Sequence, residues 1–128
     1  YVDGAIHSDS ARSLVRSLEG RLQQPVVSVI GVPDDKDYPG VFAALGPVSD
    51  TVIVTETSRN ISLHFPSPET AQAAAREHNN DVRYALNLEA ALEVALPLAG
   101  ADGTVLIAGT LSLVADAIGH WGLSYEEI

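Results

Sequence analysis

The sequence predicts an α/β fold: an open, mostly parallel sheet of five or six strands with helices on both faces. Three observations carry that expectation. Strand-length apolar runs alternate with helix-length amphipathic stretches along the whole chain. The clearest runs, 26–30 and 104–108, are almost continuously apolar, as in strands buried on both sides by helices. No repeat, low-complexity segment or linker interrupts the alternation, so residues 1–128 read as a single domain.

The elements follow in order. Residues 1–5 read as the end of a strand. Ser8 or Asp9 then caps a helix whose Ala11, Leu14, Val15, Leu18 and Leu22 recur at helical spacing. The β-branched run from Val26 to Ile30 is a second strand, closed by Gly31 and Pro33. After the acidic loop 34–37, Val41, Phe42, Leu45 and Val48 make a short helix that stops near Gly46-Pro47. Residues 51–55 are a third strand. Residues 61–66 read as loop or a short irregular strand. Ser67-Pro68-Glu69 opens a helix with proline at its first position, running to about Glu77. Residues 81–85 are a short strand, and Asn87 caps a helix striped by Leu88, Ala91, Leu92, Ala95 and Leu96. Residues 104–109 form the last strand, a helix follows from Leu111 to Ile118, and a tail begins at Gly119.

Composition narrows the function. Seven basic residues face seventeen acidic ones, a formal net charge of -10, which repels phosphate backbones and anionic lipid. Nucleic-acid and membrane partners are therefore not expected. There is no cysteine, which removes disulfides, thiolate chemistry and cysteine-ligated metals. That is compatible with a cytoplasmic location. With 46% hydrophobic but only 5% aromatic residues, the core is aliphatic. The chain lacks methionine and opens on Tyr1-Val2 within an apolar run, so it reads as a fragment or a processed chain.

In parallel sheets, ligands meet the carboxyl ends of strands, where loops lead into helix N-termini. Three such loops carry unusual polar residues: 3–9, 31–37 and 55–60. Lys36 offers a flexible ammonium that reaches a phosphate or a carboxylate; equally, it is a solvated charge offsetting Asp35 and Asp37. Those two carboxylates are also candidates for capping the following helix. Arg59 offers a fork suited to a carboxylate, or is a plain surface charge. His64, His78 and His120 lack metal-ligand spacing, and Ser58 and Ser112 lack a nucleophile elbow. Gly109-Thr110 reads as tight strand-to-helix packing or an anion contact.

Taken in order, Asp3-Gly4-Ala5 with His7-Ser8-Asp9-Ser10-Ala11, then Gly31-Val32-Pro33-Asp34-Asp35-Lys36-Asp37, then Val52-Ile53-Val54-Thr55-Glu56-Thr57-Ser58-Arg59, then 105–117 resemble a known family. It is the C-terminal domain of folylpolyglutamate synthases and dihydrofolate synthases, within the Mur ligase superfamily. Asp35-Lys36-Asp37 is the most specific piece and argues for the folate branch over the cell-wall ligases. Gly109-Thr110-Leu111-Ser112-Leu113-Val114 resembles the family's Gly-Ser-Leu-Tyr-Leu-Val element.

The resemblance implies a Rossmann-like domain that closes over a central ATP-binding domain of the same chain. It implies an ATP- and Mg2+-dependent ligase, part of folate biosynthesis and one-carbon metabolism, that adds glutamate to a folate-type substrate and works as a monomer. The central domain would hold most of the ATP and Mg2+. This chain has no G-x-x-x-x-G-K-[ST] segment, so alone it is expected to be inactive. By the same resemblance, Asp3, His7 and Lys36 meet ATP, while Ser58, Arg59 and Asp35 meet substrate. Asp3 matches the acidic residue of the family's Asp-x-Ala-His-Asn-Pro loop, but Ile6, His7 and Ser8 stand where that pattern has His, Asn and Pro. The altered loop keeps a second reading open, a non-catalytic Rossmann-like ligand-binding module.

Overall fold

In a computed structural model, residues 2–3, 8–18, 20, 23–34, 36–56 and 64–109 are described. Among them lie the strands β1 (Val2–Asp3), β2 (Val26–Gly31), β3 (Thr51–Val54), β4 (Val82–Tyr84) and β5 (Thr104–Gly109). Four α-helices separate them: α1 (Ser8–Ser17), α2 (Tyr38–Leu45), α3 (Pro68–Arg76) and α4 (Leu88–Ala99). A 3-10 turn, Gly46–Val48, extends α2.

The strands form one sheet in the order β1-β5-β2-β3-β4, and every pairing is parallel. The chain crosses from β1 to β2, β3 and β4 in one direction, then doubles back to insert β5 between β1 and β2. Right-handed crossovers therefore put α1, α2 and α3 on one face and α4 on the other. The core follows that division. Ile30, Val52, Val54, Leu106 and Ala108 pack beneath Ala11, Leu14, Phe42, Leu45, Ala71 and Ala75. On the opposite face Val27, Val29, Ile53 and Ile107 meet Leu88, Leu92 and Ala95. The period-two alternation of each strand thus feeds two cores, which is why both phases of the run 26–30 are apolar. Each fully buried aliphatic side chain, such as Ile30, Ile53 or Leu92, contributes about 1.5–3 kcal/mol.

Helix starts are set by short polar side chains. Ser67 Oγ accepts from the Thr70 amide at 3.2 Å and Asn87 Oδ1 from the Ala90 amide at 2.8 Å, both at the predicted positions. Pro68 occupies the first position of α3, as expected, and α3 ends at Arg76. The second helix begins earlier than its apolar spacing predicts, at Tyr38 rather than near Val41, because Asp37 caps it and Pro39 fits the first turn. Ser8 is the first residue of α1, not the residue preceding it. Gly100 ends α4 at φ 68, a left-handed conformation that glycine takes without steric cost. The expected helix 111–118, the tail from Gly119 and the segment 57–63 lie outside the described residues.

Candidate functional site

Because the strands are parallel and in register, their carboxyl ends form one rim. Asp3 pairs with Ala108, Gly31 with Gly109, Ile30 with Val54, and Val54 with Tyr84. The loops following β1, β2 and β3 therefore leave from the same edge, as expected. Strand order adds a separation that spacing along the chain does not show. Two strand intervals lie between β1 and β2, and three between β1 and β3, roughly 10 and 14 Å.

Lys36 stands exposed on this rim. Its loop is short and tied down: the Lys36 amide donates to Pro33 O at 3.2 Å, and Tyr38 N donates to Lys36 O at 2.9 Å. The Asp34 amide donates to His64 O at 2.8 Å, which joins this loop to the chain entering α3. A fixed backbone carrying a solvated ammonium suits an anionic group brought to the rim from outside. Asp3 ends β1 with its backbone paired to β5. His7, Asp35, Ser58 and Arg59 lie outside the described residues, and so does Gly109's neighbour Thr110.

Asp37 takes the capping role that the sequence offered to both acidic neighbours of Lys36. Its Oδ1 accepts from the Gly40 amide at 3.0 Å, and its Oδ2 accepts from the Ser8 amide at 3.2 Å. One carboxylate thus serves the N-termini of α2 and α1, where the helix dipoles favour negative charge. The first two rim loops are joined at this point.

Thr55 and Glu56, from the rim loop expected in the sequence, are joined by Tyr84, which was not singled out there. Thr55 Oγ1 donates to Ala85 O at 3.0 Å in a buried bond between the ends of β3 and β4. Tyr84 donates its hydroxyl to Glu56 Oε2 at 3.1 Å. Burial first, and the adjacent Glu56 charge second, push the Tyr84 phenol above its ordinary value. Glu56, Thr55, Phe42, Phe65 and Ala71 line a small cleft between α2 and α3, above Ile30 and Val54. A carboxylate directly after a strand is a readable signal; its tyrosine partner, 28 residues on, is not.

Among the described residues no group of three or more His, Asp or Glu stands ready to hold a metal, and no helix is long and apolar enough to cross a membrane. His64 is exposed and His78 half-buried, as boundary histidines. The described residues offer no donor set for Mg2+, so no step is assigned to a metal held by this domain.

Among the described residues, a five-stranded parallel sheet with helices on both faces, and a polar rim at its carboxyl ends, defines a Rossmann-like α/β domain. Comparison with known proteins places it further. The family described as Mur ligase, glutamate ligase domain, matches residues 1–111, and the chain belongs to that family. A dihydrofolate synthase/folylpolyglutamate synthase of Mycobacterium tuberculosis is 36% identical over 100 residues, covering 77% of this chain and 20% of that protein. The solved structure of a Mycobacterium tuberculosis folylpolyglutamate synthase complexed with ADP superposes with a TM-score of 0.74 at 30% identity, covering 96% of this chain and 30% of that one. A bifunctional folylpolyglutamate synthase/dihydrofolate synthase of Yersinia pestis, complexed with AMPPNP and Mn, gives 0.73 at 27% identity, covering 94% of this chain and 28% of that one. The chain thus spans a fifth to less than a third of the relatives it matches.

Proposed function

We propose that residues 1–128 are a single domain that forms one side of the active site of a cytoplasmic, ATP-dependent ligase, adding glutamate to a folate-type acceptor. The remaining parts of the site, including the phosphate cradle and most of the Mg2+ ligands, belong to a central domain of the same protein. The family match and the relatives named as folylpolyglutamate synthases support this reading, and favour the folate branch over the cell-wall ligases. Nucleotide in the relatives' structures supports ATP as the co-substrate.

The observation that carries the proposal is Lys36: an exposed cation on a hydrogen-bonded loop at the ligand-facing rim of a strongly acidic chain. On domain closure its ammonium would meet a phosphate of the nucleotide, at the site where negative charge grows during acyl-phosphate formation. Asp3 and His7 approach the same nucleotide from the loop after β1. Arg59, with Ser58, receives a substrate carboxylate on the β2–β3 side, where Asp35 also meets the substrate. The roughly 14 Å between β1 and β3 fits two ligands side by side, nucleotide at one end of the rim and amino acid at the other.

The test is ATP-dependent glutamate addition by the full-length protein, with Lys36→Ala beside it. A loss of about 100-fold in kcat/KM is expected for a removed charged contact to a transferring phosphoryl group. Wild-type protein that adds no glutamate to folates or dihydropteroate refutes the ligase reading. Tight binding of a folate to this domain alone would favour the non-catalytic module instead.

A further inference from the structure

Glu56 follows β3 at the rim with more binding capacity than the fold uses. Its Oε2 accepts from the Tyr84 hydroxyl at 3.1 Å, and among the described residues no other hydrogen bond or ion pair holds it. An ionised carboxylate has about four acceptor sites, so most of that capacity stays open. Burial first, and the Glu56 charge second, raise the Tyr84 phenol, which therefore remains a donor. The half-buried carboxylate lines a small, mostly apolar cleft, and both phenylalanines of the chain, Phe42 and Phe65, belong to its wall. One uncompensated negative charge among aromatic rings suits an alkylammonium. The carboxylate meets the charge through charge-assisted hydrogen bonds, and aromatic faces favour a cation over an anion. A cleft this small admits the end of a ligand rather than a nucleotide.

Strand order puts that cleft where an amine is needed. β2 and β3 are neighbours in register, with Ile30 level with Val54, so the chain leaves the rim after each of them about 5 Å apart. The first exit leads to Lys36 and the second to Glu56. The Asp34 amide, donating to His64 O at 2.8 Å, ties the Lys36 loop to the segment that bears Phe65. A ligase that works through an acyl phosphate has to bring an amine against it. Here a cation suited to phosphate and an anion suited to ammonium stand on neighbouring strands. We infer that Glu56, oriented by Tyr84, receives the α-ammonium of the incoming glutamate and so selects an amine-bearing substrate over its deaminated analogue. This rests on the ligase reading given above.

Glutarate supplies the comparison, since it has the chain length and both carboxylates of glutamate but no amine. Glu56→Gln keeps the size of the side chain and an acceptor for Tyr84 while losing the charge. In the full-length protein this variant is expected to raise the KM for glutamate about tenfold, the scale of one lost hydrogen bond to a charged group. The inhibition constant of glutarate and the KM for ATP should stay at their wild-type values. Tyr84→Phe, which frees the carboxylate without removing it, should give the same split with a smaller rise, about threefold. A glutamate KM unchanged in Glu56→Gln, or a rise shared by glutarate or by ATP, overturns the ammonium role, because a disturbed rim would weaken every ligand alike. If the wild-type protein adds no glutamate, the ligase reading fails first and this role goes with it. If it does and Glu56→Gln retains the glutamate KM, the ammonium role alone is lost.

Discussion

At the amino-terminal edge of the sheet, polar side chains are consumed in holding the fold. Asp50 Oδ2 accepts from the Val26 amide at 2.7 Å, and Asn79 Nδ2 donates to both Gly46 O and Ser49 O. Thr51 donates to Asp81 at 2.8 Å, and Thr104 Oγ1 both accepts from and donates to the Gln23 backbone. The carboxyl rim is built otherwise. There Thr55, Tyr84 and Asp37 tie loops together in pairs, while Asp34 and Lys36 are exposed to solvent. Satisfying a polar group internally stabilises the protein but removes it from service to a ligand. The two edges show that trade made in opposite directions, and parallel strands let one sheet hold both, since all like ends face the same way.

Substitutions that separate the edges should therefore divide between stability and catalysis. The largest loss of stability is expected for Gly103→Ala at the amino-terminal edge. Its methyl would collide with Ala99 O and stand 2.6 Å from Pro25 O, both backbone atoms that cannot swing aside. Overpacking of this kind costs about 3 kcal/mol, read as a lower denaturant midpoint at an unchanged m value. Asn79→Ala comes next. It strands the Ser49 carbonyl and the Asp81 amide, which donates to Asn79 Oδ1 at 2.8 Å, while Gly46 O keeps only its bond from the Ser49 amide, for a loss of about 2 kcal/mol. Either variant that melted like wild type would contradict the structural role of this edge.

A smaller, pH-dependent effect belongs to Asp81. The Arg83 side chain first, and the Thr51 hydroxyl second, hold its carboxyl below the ordinary value. A lowered folded pKa stabilises the protein in full above the unfolded value of about 4 and loses that contribution as pH falls through the folded value. The advantage of wild type over Asp81→Asn should thus be greatest near neutrality and shrink on acidification. Chemical denaturation at several pH values measures it, and a gap that widened toward acid would reverse the assignment. The smallest change in stability is expected for Lys36→Ala, within about 0.5 kcal/mol as for an exposed side chain, despite its expected effect on turnover. A marked destabilisation there would erase the distinction between the two edges.

Much of the fold was legible along the chain. The caps at Ser67 and Asn87 work through bonds to residues three positions on, and the stripe of α4 repeats every three to four residues, although Leu96, expected in it, is exposed and Ala99 is buried instead. Strand runs 26–30 and 104–108 announced burial on both faces because each alternate phase is apolar. The chemistry was less evenly legible. Lys36 is found on the rim expected of it, and Asp37 serves as the cap that the sequence allowed. Its second partner was not visible, nor was the bond between Tyr84 and Glu56, because neither pair is close in sequence.

What the sequence by itself determined is therefore local: the apolar period of each element and the caps that start the helices. Strand order was decided only by the tertiary structure. Inserting β5 between β1 and β2 sets how far apart the rim loops lie, and the return of the chain brings Ser8 to Asp37. The physical reason is reach. A helix or a cap is specified by interactions within one turn, whereas the neighbours of a strand are chosen by how whole faces bury against helices, a property of no single window of residues.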